Sequence, residues 1–225
     1  PGECLVTATI DGVMQVGKVT VKSSTLPIGW QYDELNSPPI PGAAEAINDR
    51  FTLTGSGHAM TSWWERVRDQ GVFVSHAVSR DLTLSARLTG LAPNVGGPSY
   101  QWDNRPPTVS GIMIRESLTE AAGRFVSVQL SASGDLTCRW REKSGDQDDN
   151  QSQELGTMAM PCHLKIERAA GQVRVYASAD GKEWGEPLMS HKVQFGNSSR
   201  IGLFVCSGNT FASATATFDS VELSE

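Results

Sequence analysis

Residues 171–187 read GQVRVYASADGKEWGEP. Val173, Val175 and Ala177 alternate with Arg174, Tyr176 and Ser178. That period of two puts one side of an extended chain against a core and the other toward water. Asp180-Gly181 then gives a two-residue hairpin signal, because a type I′ turn needs positive φ at both central positions. Trp184 is expected at the start of the returning strand. Two roles are open to it: an indole covering the end of the core beside the turn, with its N–H bonded to a carbonyl, or a flat platform for a sugar ring.

The same period recurs outward along the chain. LTLSARL (82–88), RFVSVQLSA (124–132), LTCRWR (136–141), HLKIER (163–168) and ATATFDSVEL (214–223) all alternate, with Gly, Pro, Asn or Asp between them. β-branched and aromatic residues fill these runs. Many short strands with turn signals at even spacing predict an all-β antiparallel sandwich. GAAEAIND (42–49) is the one weak helix candidate and reads better as a turn or a short irregular piece. EKSGDQDDNQSQELG (142–156) is polar and acid-rich, and is expected to be a long hairpin loop joining 136–141 to 163–168.

Residues 1–24 read as a separate hairpin of two strands around Asp11-Gly12, with Cys4, Val6, Ala8 and Ile10 on one face. A lone hairpin is not stable in water. It therefore packs on the main domain, pairs with another chain, or ends a neighbouring domain; it resembles the end of a bacterial immunoglobulin-like repeat. SSTLP (23–27) would then be the linker, and 28–225 the sandwich. Pro1 follows no initiator Met and no signal-peptide pattern, so the chain is expected to be a processed product or a piece of something longer.

The 225 residues are enough for one large β domain, and the net charge is −6. Lys and Arg are scattered singly, which argues against a nucleic-acid partner, and no apolar run is long enough to span a membrane. Cys4, Cys138, Cys162 and Cys206 lack metal-site spacing. They are read as free buried thiols or as one disulfide, in which case Cys138 and Cys162 are the expected pair.

Several segments carry a family resemblance. SGIMIRESL (110–118) resembles the "aGvMiResl" strand of regulation-of-enolase-like domains, within the concanavalin A-like lectin/glucanase superfamily. MPCHLKIERAAGQVRVYASADGKEW (160–184) resembles that family's Leu-x-x-x-Arg strand followed by its Ser-x-Asp-Gly-x-x-Trp turn. LPIGWQYDEL (26–35), FTLTGSGHAM (51–60), LTLSARLTGL (82–91), RIGLFVCSGN (200–209) and ATATFDSVEL (214–223) resemble further segments in the same order. The resemblance implies a concanavalin A-like jelly-roll of two antiparallel sheets. It also implies an accessory module of a larger secreted or surface-attached bacterial protein. Segments 61–81 and 92–109 are longer than the family pattern.

Catalytic glucanases of that superfamily carry paired carboxylates on one strand face, spaced Glu-x-Asp-x-x-Glu. That pattern is absent here, as is a G-x-S-x-G elbow. Arg115 and Glu116 would point to opposite faces of one strand, and Arg115 reads first as an interior or edge salt bridge, with a ligand contact as the alternative. The DQDDN run (146–150) lacks the spacing of a calcium loop and reads as a solvated tip. No cofactor is expected, with a structural calcium left open and no ligand set named. The candidate binding residues lie in the two aromatic-rich insertions: Trp63 and Trp64 in one; Tyr100, Trp102, Asp103, Asn104 and Arg105 in the other, where Trp102 reads first as an anchor packed under its own long loop, with a ligand contact and then a protein contact as the alternatives. They combine flat rings with planar polar groups that bond hydroxyls. The expected function is therefore a non-catalytic carbohydrate-binding module, extracellular or at the bacterial cell surface, with carbohydrate or neighbouring protein domains as partners. A structural building block of an extracellular assembly is the alternative, and a glycosidase or sugar lyase comes last.

Overall fold

The structure is a computed structural model. It describes residues 25–58, 69–94, 107–120, 122–145, 150–196 and 199–224, together with the backbone pairing of strands β1 (Gly2–Ile10) and β2 (Val13–Val21). β1 and β2 run antiparallel, with Ile10 opposite Val13. They form a two-stranded sheet of their own.

The remaining described strands make two antiparallel sheets of seven. In chain order they are β3 (Trp30–Leu35), β4 (Ala43–Ile47), β5 (Arg50–Gly57), β6 (Gly71–Val78), β7 (Leu82–Pro93), β8 (Val109–Arg115), β9 (Phe125–Ser131) and β10 (Asp135–Arg141), followed by β11 (Gln151–Thr157), β12 (Cys162–Ala169), β13 (Gln172–Ser178), β14 (Met189–His191), β15 (Ser199–Cys206) and β16 (Asn209–Ser224). Sheet I has the order β11-β10-β9-β8-β15-β6-β3, and sheet II the order β14-β13-β12-β7-β16-β5-β4. Among the described residues there is no helix, and so none long and apolar enough to cross a membrane. The fold is an antiparallel sandwich, as the alternation predicts, and a jelly-roll, as the resemblance implies.

The core lies between the sheets. Val126, Val128 and Leu130 of β9 and Ile112 and Ile114 of β8 meet Leu84 and Leu88 of β7, Leu164 and Ile166 of β12, and Phe218 of β16. Sheet I departs from the usual antiparallel pattern of one dry face and one wet face. Every residue of β8 and β9 is buried. Phe73, Val109, Met113, Phe125, Phe204 and Cys206 make a second apolar cluster, and by alternation they lie on the side of sheet I away from the core.

Several local expectations are corrected. Residues 43–47, inside the weak helix candidate, are strand β4. It enters β5 through Asn48 and Asp49, both at positive φ (49° and 62°), with Ile47 opposite Arg50. The stretch 142–156 is not one long loop, because Gln151–Thr157 adds an edge strand to β10. Residues 136–141 and 163–168 belong to different sheets, so they are not hairpin partners. Cys138 and Cys162 accordingly lie in opposite sheets, and both are free buried thiols, as is Cys206. Burial pushes the Cys138 thiol up to about 12 and that of Cys162 to about 11.

Asp180-Gly181 is not a type I′ turn, since only Gly181 has positive φ (71°). Asp180 Oδ1 instead accepts bonds from the amides of Lys182 (2.9 Å) and Glu183 (3.1 Å) and from the Ser178 hydroxyl (3.0 Å). The chain then runs on for several residues before β14 pairs back at Met189, opposite Val175. The two-residue turn of this region is Ala170-Gly171 (φ 51° and 74°), between Ala169 and Gln172.

Candidate functional site

Arg115, read from the sequence as a salt-bridging residue, ends β8 on the outer face of sheet I. Its partner is Asp69, just before β6, at 3.3 Å from Nη1. Arg141 of β10 grips the same carboxylate with two bonds, Nη1 to Oδ2 at 2.9 Å and Nη2 to Oδ1 at 3.0 Å. All three side chains are fully buried. Arg115 also donates to the carbonyls of Ser117 and Glu120, and Arg141 to that of Gly123. The Arg141 guanidinium lies 5.0 Å over the Phe125 ring. Burial lowers the Arg115 pKa and the Asp69 charge opposes that shift; a guanidinium remains protonated regardless. One carboxylate thus neutralises half of a buried pair of cations and fixes the β8–β9 connection and the entry to β6 onto sheet I. No spacing signal in the sequence links Asp69 to Arg141, because the two are joined only in space.

Gln129 of β9 also lies on this face, paired with Gly111 of β8 and Thr137 of β10. It is 4% exposed, and its Oε1 is buried without a hydrogen-bond partner. At the β3 margin of the sheet, Gln31 donates to Asp33 (3.1 Å), and Arg200 donates to the Ser75 hydroxyl (2.8 Å) and carbonyl (3.1 Å). Half-burial raises the Asp33 pKa above the ordinary carboxylate value, with Arg200 and the Gln31 bond pulling the other way.

Trp63, Trp64, Tyr100, Trp102, Asp103, Asn104 and Arg105 lie outside the described residues, but the flanks of both insertions are described. The first insertion leaves after β5 and returns at β6; the second leaves after β7 and returns at β8. β16 passes between the two departures, with Asn209 opposite Gly57 and Ala214 opposite Pro93. β15 passes between the two returns, with Val205 opposite Val72 and Cys206 opposite Val109. A Cβ on Gly55 would come within 3.0 Å of both Val205 O and the Val72 side chain, so these strand ends meet across the sandwich. Both insertions therefore spring from one end of the molecule. The β9–β10 turn is at the same end, since Ala132 N donates to Thr108 O (3.0 Å). Beside that turn is a pocket of about 320 Å³ lined by Ala132, Ser133, Gly134, Thr157, Met158 and Met160.

Trp184 does not cap the core. Half-buried on the outer face of sheet II, it meets His163 and Tyr176 edge-on at 6.4 and 6.5 Å. Lys165 Nζ sits 4.1 Å from the Tyr176 ring centroid and 4.4 Å from that of Trp184. A face of the Trp184 ring thus holds a lysine of this chain. Among the described residues no group of three or more His, Cys, Asp or Glu side chains could hold a metal ion; residues 146–149 of the acidic run lie outside them.

No protein-family model and no curated protein matches the chain. Solved structures do. A functionally unknown protein from Saccharomyces cerevisiae aligns with TM-score 0.61 at 16% identity, over 87% of this chain and 96% of that one. A legume lectin-like domain from Entamoeba histolytica aligns with TM-score 0.55 at 7% identity, over 88% and 90%. Alginate lyase A1-II′, of polysaccharide lyase family 7, aligns with TM-score 0.52 at 12% identity, over 87% and 94%. At these identities the likeness is one of fold: an all-β jelly-roll sandwich of two antiparallel sheets.

Proposed function

We propose that the chain is a non-catalytic carbohydrate-binding module of the regulation-of-enolase-like kind, working within a larger secreted or cell-surface bacterial protein. The observation that carries this reading is that the described flanks of both aromatic-rich insertions meet at one end of the sandwich. Flat rings and hydrogen-bonding groups from separate segments can there form one sugar-binding surface. The lectin-like domain among the similar structures supports the fold's suitability for such a surface.

Calorimetric titration with cellohexaose, laminarihexaose, xylohexaose and an alginate hexamer, backed by a glycan array, tests the reading. The wild-type protein is expected to bind at least one glycan. Trp102→Ala, or Trp63→Ala with Trp64→Ala, is expected to weaken that binding about fivefold or more while the melting temperature holds. Absence of binding across the array would remove the proposal.

A second reading, a building block of an extracellular assembly, is favoured by one observation: β1 and β2 pair with each other and join neither seven-stranded sheet. Such a hairpin suits coupling to a neighbouring domain or chain. A concentration-independent monomer in light scattering counts against it.

A further inference from the structure

We infer that Phe211 is a stacking platform for a neutral pyranose, at the end of the sandwich from which both insertions spring; this rests on the carbohydrate reading above. The ring is large, apolar and 63% exposed. Exposure alone would mean little, since single apolar side chains at a surface are ordinary. What singles out Phe211 is the backbone that holds it there.

Asn209 stands opposite Gly57 and Ala214 opposite Gly55, so β16 takes five steps where β5 takes two. The three surplus residues make a bulge, a device that re-aims a side chain at the rim of a sheet. Both feet of the bulge are tied down. On one side the Ser207 hydroxyl donates to the Asn209 carbonyl (2.6 Å) and accepts from the Asn209 amide (3.1 Å). Asn209 Oδ1 accepts from the Phe211 amide at 2.7 Å. The Thr108 hydroxyl donates to the Ser207 carbonyl at 2.8 Å, which anchors that foot beside the start of β8. On the other side Asn94 donates its backbone N–H to the Ser213 carbonyl and its side-chain amide to the Ser213 hydroxyl, both at 2.8 Å. These bonds fix the bulge and leave the ring outside. A strand that only had to extend the sheet would run straight from Asn209 to Ala214 and turn no phenyl ring to water.

The surroundings select the ligand. A docking protein or a membrane would meet a contiguous apolar patch. Here the ring stands apart from the other exposed large apolar side chains among the described residues. Ile28 and Ile47 lie at the far end, near Trp30 and opposite Arg50, and Leu188 lies beside β14. The neighbours of Phe211 in the bulge include Asn209, Thr210 and Ser213, which carry amide and hydroxyl groups. A flat ring rimmed by such groups matches a pyranose, which has C–H groups on its face and hydroxyls at its edge. No residue from Ser207 to Phe218 is charged, so nothing on the bulge complements a uronate carboxylate. The ligand class is therefore a neutral glycan of equatorially substituted pyranoses, such as a β-linked glucan or xylan.

Calorimetric titration of the full chain with cellohexaose, laminarihexaose, xylohexaose and the alginate hexamer tests the assignment. Wild type is expected to bind at least one of the three neutral hexamers, and the alginate hexamer about tenfold more weakly or worse. Phe211→Ala is expected to weaken the neutral binding about tenfold, and Phe211→Tyr to hold it within about threefold, because the ring remains. Both variants are expected to melt within about 2 °C of wild type, since the side chain is exposed. Ile47→Ala, which removes a comparably exposed apolar side chain at the far end, is expected to leave the affinity unchanged. Undiminished glycan affinity in Phe211→Ala would overturn the inference and leave the carbohydrate reading standing, as would a preference for the alginate hexamer. A fall of about 5 °C or more in the melting temperature of Phe211→Ala would make the ring a structural one and overturn the inference too. Wild-type protein that binds none of the four sugars and no array glycan would remove both.

Discussion

At the scale of single residues, the turn at Asp180 shows how one side chain can carry two different meanings. Asp-Gly signals a type I′ turn because both residues tolerate positive φ. Here Asp180 keeps negative φ and spends its carboxylate on two amides and a hydroxyl, so the same dipeptide opens a wide connection. The true two-residue turn falls at Ala170-Gly171, where an alanine occupies a left-handed position that its composition does not advertise. The acceptor role of Asp180 has a pH consequence. Its bonds, chiefly those from Lys182 and Glu183, hold its pKa down at about 2, against 3.8 for the free side chain. A depressed carboxylate pKa contributes stability that is fully present above the unfolded value. That contribution is lost as pH falls from about 4 through about 2. In an NMR titration, the Lys182 and Glu183 amides are expected to shift together with a midpoint near 2. A midpoint near 4 would show that the cap does not form.

At the scale of elements, legibility follows alternation. β7, β9, β10, β12, β13 and β16 were readable because one face of each is apolar. β11 was not, because all but one of its residues are exposed and its sequence QSQELGT shows no dry face. β4, of five residues with alternate exposure, is too small and alanine-rich to separate from a turn. Arg115 was legible as a salt-bridging residue from its place at the end of an apolar strand. Its partners were not, since Asp69 and Arg141 come from distant segments that only the folded sheet brings together. The cluster they form sets an energetic scale. Removing the charge with Asp69→Asn leaves two buried guanidiniums facing a neutral amide. Breaking a buried pair in this way costs about 3–5 kcal/mol. Urea denaturation is expected to show a loss of that size, and a loss under about 1 kcal/mol would mean that water or another group neutralises the arginines. Arg141→Met is expected to cost less, because one arginine for one carboxylate remains.

At the scale of the whole molecule, the two-layer architecture was legible from strand count and periodicity. The filled outer face of sheet I was not, because a dry second face looks the same in sequence as a strand buried in a core. The candidate binding residues stand out by composition, and the fold brings their flanks to one end by a rule no local pattern contains: in this antiparallel sandwich the β5–β6 and β7–β8 connections share an end. The same logic bears on the hairpin of β1 and β2. Their hydrogen bonds close on each other, whereas Leu26 and Trp30 pack against the main core and the Thr25 hydroxyl accepts a bond from the Ala46 amide at 3.2 Å. A chain beginning at Thr25 therefore keeps every described contact of the sandwich. In calorimetry it is expected to melt in one cooperative transition within about 3 °C of the longer chain. A broad transition, or a drop of about 10 °C or more, would mean that the hairpin belongs to the sandwich's own folding unit; the boundary near residue 24 would then be wrong, and the hairpin's apolar residues would be spent on this domain rather than left for a neighbour.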